Sequence, residues 1–384
     1  MTFQEELSEL SAHFFFREFS FSKNTFRPTP NNEVELADHI LWIDDAIVVF
    51  QVKERQVEGE TTPERETRWF ERKVVSLATK QIRDTLTYLE ANEQIQVKNH
   101  RGHRRSIEAS RLSAIHKVVC YLPNDVLPAE RRSSKFHNSR MAGTVHLIAG
   151  NDYLGIVRTL LTPAEFSEYI GFREELIQRW GQGVNDAPEI ALVGQYLSGN
   201  ADTPPTLAFA DYVRTLEDRI DEWDMSGVIR HFPERVTTNN EPTDYYPIVS
   251  EIAKLKRNEL REFKKRFKMS MEKSRSGEFV QPYRIACPRT SCAFLFIPIE
   301  TELIEYRREG LMNLTYACKY DLKVPKCIGL SFAPEENGWY SVEWCYMDFP
   351  WAFDAEIEER LKENNPFRPV KAVELKRYHH DAEK

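Results

Sequence analysis

The chain reads as an α/β protein: a mixed sheet with flanking helices, followed by a helical region and an α+β part. Three observations predict this. Two apolar runs rich in β-branched residues flank the acidic dipeptide Asp44-Asp45, which is the pattern of a β-hairpin. A long stretch, 67–91, follows with Trp69, Phe70, Val74, Leu77, Ile82, Leu86 and Leu89 at helical spacing. Two further strand-like runs come next, at 113–122 and 145–149, and strands alternating with helices mark a sheet covered by helices.

Taken in order, residues 2–14 predict an amphipathic helix, with Phe3, Leu7, Leu10 and Phe14 on one stripe. Residues 15–21 are a strand or an apolar connector. The hairpin spans Glu35 to Arg55 around its acidic turn. Residues 54–67 are charged and contain Pro63, so they read as a loop before the 67–91 helix. The run 113–122 and the run 145–149 are joined by a basic, polar loop. Thr162-Pro163-Ala164-Glu165 is a helix start with a Thr cap, Pro at the first helical position and Glu three after the cap. That helix runs to about Trp180. Helical sequence continues from Tyr212 to Trp223, after an interruption at Thr203-Pro204-Pro205. A loop at 239–244 precedes a predicted helix from Ile248 to Phe267. Strands follow at 292–299, 326–332 and 339–346, the last two joined by a turn at 335–338. The domain boundaries drawn from this are 1–160, 161–240 and 241–384.

The 384 residues suffice for two or three domains, and 41% hydrophobic residues supply their cores. The N-terminal sequence Met1-Thr2-Phe3-Gln4-Glu5-Glu6 shows no apolar leader. No apolar stretch approaches the ~20 residues needed to cross a bilayer. Six cysteines do not suggest a disulfide framework. The expectation is a cytoplasmic protein without a membrane segment. Cys287, Cys292, Cys318, Cys327 and Cys345 cluster late in the chain without a CxxC pair, so they read as small hydrophobes rather than as zinc ligands. Walker-type phosphate loops, GxSxG elbows and HExxH helices are absent from the sequence.

The hairpin carries the chemistry. With a two-residue turn at Asp44-Asp45, Ile43 faces Ala46 and, counting outward, Asp38 faces Gln51. Lys53 shares the face of Gln51, because strand side chains alternate. Opposed residues lie roughly 5 Å apart and diagonal ones roughly 7–8 Å. One face of one hairpin therefore brings a carboxylate, an amide and an ammonium within reach of one metal ion, provided no bulge shifts the register. Asp38 lies inside an apolar run, and Gln51 interrupts Val48, Val49, Phe50 and Val52. Polar groups there need partners. The plainer alternative is the solvated rim of a sheet. His39, by alternation, faces away from Asp38.

This arrangement resembles the active site of the PD-(D/E)xK nuclease superfamily. Asp38 matches the first motif carboxylate, and Gln51-Val52-Lys53 matches the (D/E)xK element in the QxK form of Mrr-like restriction endonucleases and several defence-associated nucleases. The resemblance covers about the first third of the chain. It implies a restriction-endonuclease-like core and metal-dependent hydrolysis of DNA phosphodiesters, with Mg²⁺ as cofactor and Mn²⁺ as a substitute. Asp38, the Gln51 side-chain oxygen and the Val52 carbonyl would hold the metal. Lys53 would orient the attacking water or stabilise the phosphorane. Glu35 is a further catalytic candidate, although strict alternation turns it away from Asp38. Glu6 corresponds to an acid that some relatives place near the metal, and Gln81 and Tyr88 to a glutamine and tyrosine near the substrate phosphate. Ordinary helix surface is the simpler reading of all three.

A neutral amide at position 51 attracts a cation less than a carboxylate does. Metal affinity should be weak, and activity should depend on DNA or on a partner protein or homo-oligomer. The implied role is restriction or anti-phage defence. The alternatives are a catalytically inactive nuclease-fold module that binds nucleic acid or protein, and a nuclease of DNA repair or recombination. A net charge of −8 argues against a broad phosphate-coating surface. It leaves room for local patches at 98–111, 131–140 and 254–268. In the last and densest patch, Lys264, Lys265 and Arg266 are the candidate DNA contacts. The competing reading packs that face against an acidic partner, or against the acidic stretch Glu217 to Asp224 of the same chain.

Overall fold

The computed structural model describes residues 2–29, 32–55, 61–236, 241–276, 280–335 and 340–370. The architecture is mixed α/β, with a mixed sheet flanked by helices. The chain divides into two units: Met1–Arg219 with Val228–Arg230, and Ile220–Gly227 with His231–Lys384.

In the first unit the strands are β1 (Ser20–Ser22), β2 (Thr25–Thr29), β3 (Asn32–Glu35), β4 (His39–Ile43), β5 (Ala46–Lys53), β6 (Ile95–Lys98), β7 (Arg104–Ile107), β8 (Ala114–Tyr121), β9 (Phe136–Ser139) and β10 (Gly143–Ala149). Six of them form one sheet in the order β1-β4-β5-β8-β10-β9, while β2-β3 and β6-β7 are separate hairpins. β5, β8 and β10 run parallel, and the pairs β1/β4, β4/β5 and β9/β10 are antiparallel. The β4/β5 hairpin has the register read from the sequence, Ile43 opposite Ala46. Asp44 takes a left-handed φ of 54° in the turn, a conformation that aspartate tolerates.

β5 is buried on both faces, which explains its nearly unbroken apolar sequence. Ile47 and Val49 pack with Trp42 and Leu89 on one face. Phe50, on the other, stacks on Phe166 with ring centroids 5.8 Å apart. Gln51 and Lys53 continue the Ile47 face, which is the face toward the helix that follows.

That helix begins earlier than expected. Pro63 is its first residue, with Thr62 Oγ1 accepting from the Arg65 N–H at 3.4 Å. The reading as loop is corrected over 63–67, because proline at the first helical position has no N–H to waste and suits the helical φ; residues 56–60 lie outside the described residues. The helix runs as Pro63–Trp69, continues through a π-helical segment, Phe70–Leu77, and ends as Ala78–Ala91.

The first unit extends past residue 160. The helix Pro163–Trp180 belongs to the first unit and carries Arg173 into complete burial. Arg173 Nε and Nη2 donate to Glu189 Oε1 and Oε2 at 2.8 and 3.2 Å. Nη1 donates to the Lys135 carbonyl at 2.9 Å, and Nη2 to the Leu147 carbonyl at 3.0 Å. Lys135 Nζ lies 3.3 Å from Glu189 Oε2, and the Tyr169 hydroxyl donates to the same carboxylate. This network fastens the helices Pro163–Trp180 and Glu189–Ser198 to β10.

The second unit is built on a four-stranded sheet of β11 (Tyr283–Cys287), β12 (Cys292–Pro298), β13 (Lys326–Pro334) and β14 (Tyr340–Asp348), in that order. Only β12 and β13 are parallel. The helix Arg257–Ser276 packs Phe263 against Phe294 and Phe296, at 5.2 and 5.1 Å. The helix Arg307–Asp321 contributes Leu311 and Cys318 to the opposite cluster. The single helix expected over Ile248–Phe267 is two, Tyr246–Ala253 and Arg257–Ser276. Cys287, Cys292, Cys318 and Cys327 are free and buried. Most of the 335–338 turn, and His379 and His380, lie outside the described residues.

Candidate metal centre

Backbone pairing of β4 with β5 ends at His39↔Phe50. One step beyond, the Asp38 side chain takes over as acceptor. Its Oδ2 receives the Val52 N–H at 2.6 Å and the Lys53 ammonium at 3.3 Å. Lys53 Nζ also donates to Gln51 Oε1 at 3.2 Å and to the Val52 carbonyl at 3.0 Å. The three oxygens assigned to a metal from the sequence thus surround one cation, the ammonium of Lys53. The cluster is largely withdrawn from water: Gln51 is 3% exposed, and the Asp38 and Lys53 side chains are 14% and 12% exposed.

This arrangement also tests the fit of a metal. The donor set is one carboxylate, one amide and one backbone carbonyl, all hard oxygens, already gathered about a positive charge. Mg²⁺ suits such a set, because it keeps several waters and needs few protein ligands. Among the described residues, no three His, Cys, Asp or Glu side chains are placed to hold a metal ion. A cation here therefore relies on Asp38 plus neutral oxygens.

A pocket opens beside the cluster. Glu35, Asp38 and Gln51 line it from the sheet side, and Gln81, Asp84, Thr85 and Tyr88 from the helix Ala78–Ala91. Glu35 does not face away, as alternation had implied. β3 ends at Glu35 and β4 starts at His39, so the two acids are not on one continuous strand. Partial desolvation, and then the neighbouring Asp38 carboxylate, push the Glu35 pKa up. Thr85 Oγ1 donates to the Leu36 carbonyl at 2.5 Å and ties the helix to this break.

Gln81 and Tyr88 are pocket wall, not ordinary helix surface, and Asp84 is a pocket acid that sequence reasoning missed. The signal was present: Gln81, Asp84, Thr85 and Tyr88 fall at i, i+3, i+4 and i+7, a polar stripe on one helix face. Gln81 Oε1 is buried and accepts no hydrogen bond among the described residues. Glu6 is exposed on the N-terminal helix. From that helix it is Gln4 that reaches the centre, donating to the Asp38 carbonyl at 3.4 Å. His39 is buried on the opposite face, 5.3 Å from the Phe50 ring, and burial pushes its pKa down to about 3.

The predicted phosphate contacts lie in the second unit and are mostly engaged there. Lys264 Nζ donates to the Asp224 carbonyl at 2.9 Å, and Arg266 pairs with Glu262. Arg261 lies 3.8 Å from Glu222. Of the three candidates, Lys265 alone is exposed. The competing reading, packing against the acidic stretch, describes Arg261 and Lys264. In the first unit, Arg101 pairs with Glu18 at 2.7 Å, Arg105 stacks over Trp42 at 4.1 Å, and Arg131 pairs with Glu71 at 2.7 Å.

No protein-family model, curated protein or solved structure matches this chain. Among the described residues, no helix is long and apolar enough to cross a membrane.

Proposed function

We propose that the first unit is a metal-dependent nuclease of the PD-(D/E)xK type, with a restriction-endonuclease-like core, that hydrolyses DNA phosphodiester bonds. The observation that carries this reading is the convergence of Asp38 Oδ2, Gln51 Oε1 and the Val52 carbonyl on one cation position beside an acid-lined pocket. A role in restriction or anti-phage defence follows from the QxK analogy.

Bound Mg²⁺ would polarise the phosphate and acidify a water. The chain's own groups do the rest. Asp38 supplies the single formal charge among the three oxygens. Lys53, on its flexible stem, donates to the phosphate oxygen that gains charge, in a site with little water. Glu35, Asp38 and Asp84 make the pocket acidic, so a phosphodiester enters favourably only when a cation offsets that charge. Gln81 offers its amide to the bound substrate or to a water on the far wall.

The test is direct. Purified protein is incubated with plasmid, linear and single-stranded DNA in Mg²⁺, Mn²⁺ or EDTA. Cleavage with either metal, and none in EDTA, is the expected result. DNA binding without cleavage under all conditions assigns the fold to a non-catalytic module instead.

A further inference from the structure

We propose that Lys53 is an internal competitor for the metal position: its ammonium and a divalent cation cannot both occupy the centre formed by Asp38, Gln51 and Val52. The inference rests on the nuclease reading and adds how that site is held closed to metal.

The geometry leads there. An ammonium has three hydrogens, and Lys53 Nζ has three acceptors at 3.0, 3.2 and 3.3 Å. Its donors are matched, and the acceptors are the oxygens a metal would use. A ligand oxygen sits 2.0–2.1 Å from Mg²⁺. A metal bound to all three oxygens would therefore stand where the ammonium now sits, or close beside it. Two cations at such a distance repel strongly in a site withdrawn from water.

The charge balance makes the exclusion sharp. Gln51 is neutral, so the oxygen set carries one negative charge, and Lys53 already cancels it. A divalent cation added beside the ammonium would leave the centre with a net charge of two positive units. With an acid at position 51 the set would carry two negative charges and could tolerate both cations. The glutamine therefore turns the lysine from a neighbour of the metal into its rival. The four-carbon stem lets the ammonium swing out, and an incoming phosphate is the anion that would draw it away.

The experiment uses the full chain and Mn²⁺ alone, without DNA. Bound Mn²⁺ is counted by electron paramagnetic resonance, and the melting temperature is read with and without metal. Wild type is compared with Lys53→Met, Asp38→Asn and the double variant. Lys53→Met should bind Mn²⁺ at least tenfold more tightly than wild type, and Asp38→Asn should remove that gain in the double variant. Without metal, Lys53→Met should melt below wild type, because Asp38 and Gln51 lose their partner. Mn²⁺ should raise its melting temperature more than that of wild type. If Lys53→Met fails to fold, Lys53→Gln serves the same comparison. Asp38-dependent binding that is no tighter in the lysine variants than in wild type overturns the competition and leaves the nuclease reading standing. Absence of Asp38-dependent Mn²⁺ binding in every variant overturns both.

Discussion

Two ionic clusters lie on the sheet of the first unit, and they are built to opposite ends. Around Arg173, a guanidinium with no exposure meets Glu189 in a two-pronged pair, with Lys135, Tyr169 and two backbone carbonyls closing the remaining positions. Burial alone would raise the Glu189 pKa, but Arg173 and Lys135 outweigh it and hold the carboxyl down at about 2. Every polar nitrogen of the Arg173 guanidinium has a partner in that cluster. Around Lys53 the cation is borrowed from the strand that also carries two of its acceptors. The cluster borders a pocket with two more acids and an unpartnered glutamine oxygen. The first cluster fastens a helix to the sheet, whereas the second, a cation-centred set of oxygens beside an acid-lined pocket, is the one we propose as a site.

The largest effect should come from breaking the fastening. Arg173→Met strips the buried Glu189 of its two-pronged guanidinium partner and should cost about 3–5 kcal/mol of first-unit stability. Lys53→Met, which removes a single ammonium shared by three acceptors, should cost about 1–2 kcal/mol. Urea denaturation of the two variants measures the contrast, and equal losses would erase the distinction. Acid comes next. Burial first, and then nearby Lys117, push the His116 pKa down to about 4. Burial, and then Arg173, push that of His146 well down. Both stay neutral in the folded chain, while the unfolded chain takes up protons below about pH 6.5. Their stabilisation is therefore complete above that pH and is lost as pH falls toward 4, at up to about 1.4 kcal/mol per unit for each histidine. Glu189 adds a loss that begins below its ordinary pKa of 4.5 and is complete once pH falls through its own value of about 2. Urea midpoints that stay flat between pH 7 and 5 would contradict this ordering.

A smaller and sharper contrast lies at position 51. Gln51→Glu restores a second carboxylate and should support cleavage at roughly tenfold lower Mg²⁺, since a second charge strengthens cation binding. Gln51→Ala should lose cleavage. Full activity in Gln51→Ala removes that residue from the ligand set. The smallest effect is expected at Lys265, the exposed member of its trio. Lys265→Gln should weaken DNA binding by a few-fold and make its salt slope shallower by about one. An unchanged slope assigns Lys265 no phosphate. Lys264→Gln should act on second-unit stability, through its bond to the Asp224 carbonyl.

What the sequence made legible follows distance along the chain. The Asp38–Gln51–Lys53 register was readable because one tight turn fixes it and alternation carries it outward. Alternation failed at Glu35, where the strand breaks before Asp38 and a separate β2–β3 hairpin delivers the acid to the same pocket. The start at Thr62-Pro63 repeats the signal read at Thr162-Pro163. It was obscured because the charged stretch before it looked like continuous loop. Asp84 stood in a visible polar stripe, but nothing local says which strand that stripe will face. Arg173 was beyond reach for the same reason: Lys135, His146 and Glu189 meet it only once the sheet is assembled.

The central claim is that Lys53 and its three oxygens form a hydrolytic centre. Plasmid cleavage by wild type and Lys53→Ala, matched for folding by circular dichroism and assayed in Mg²⁺, Mn²⁺ and EDTA, tests it most directly. Metal-dependent cleavage by wild type, with none by Lys53→Ala, is the predicted result. Equal cleavage by the two proteins would contradict it.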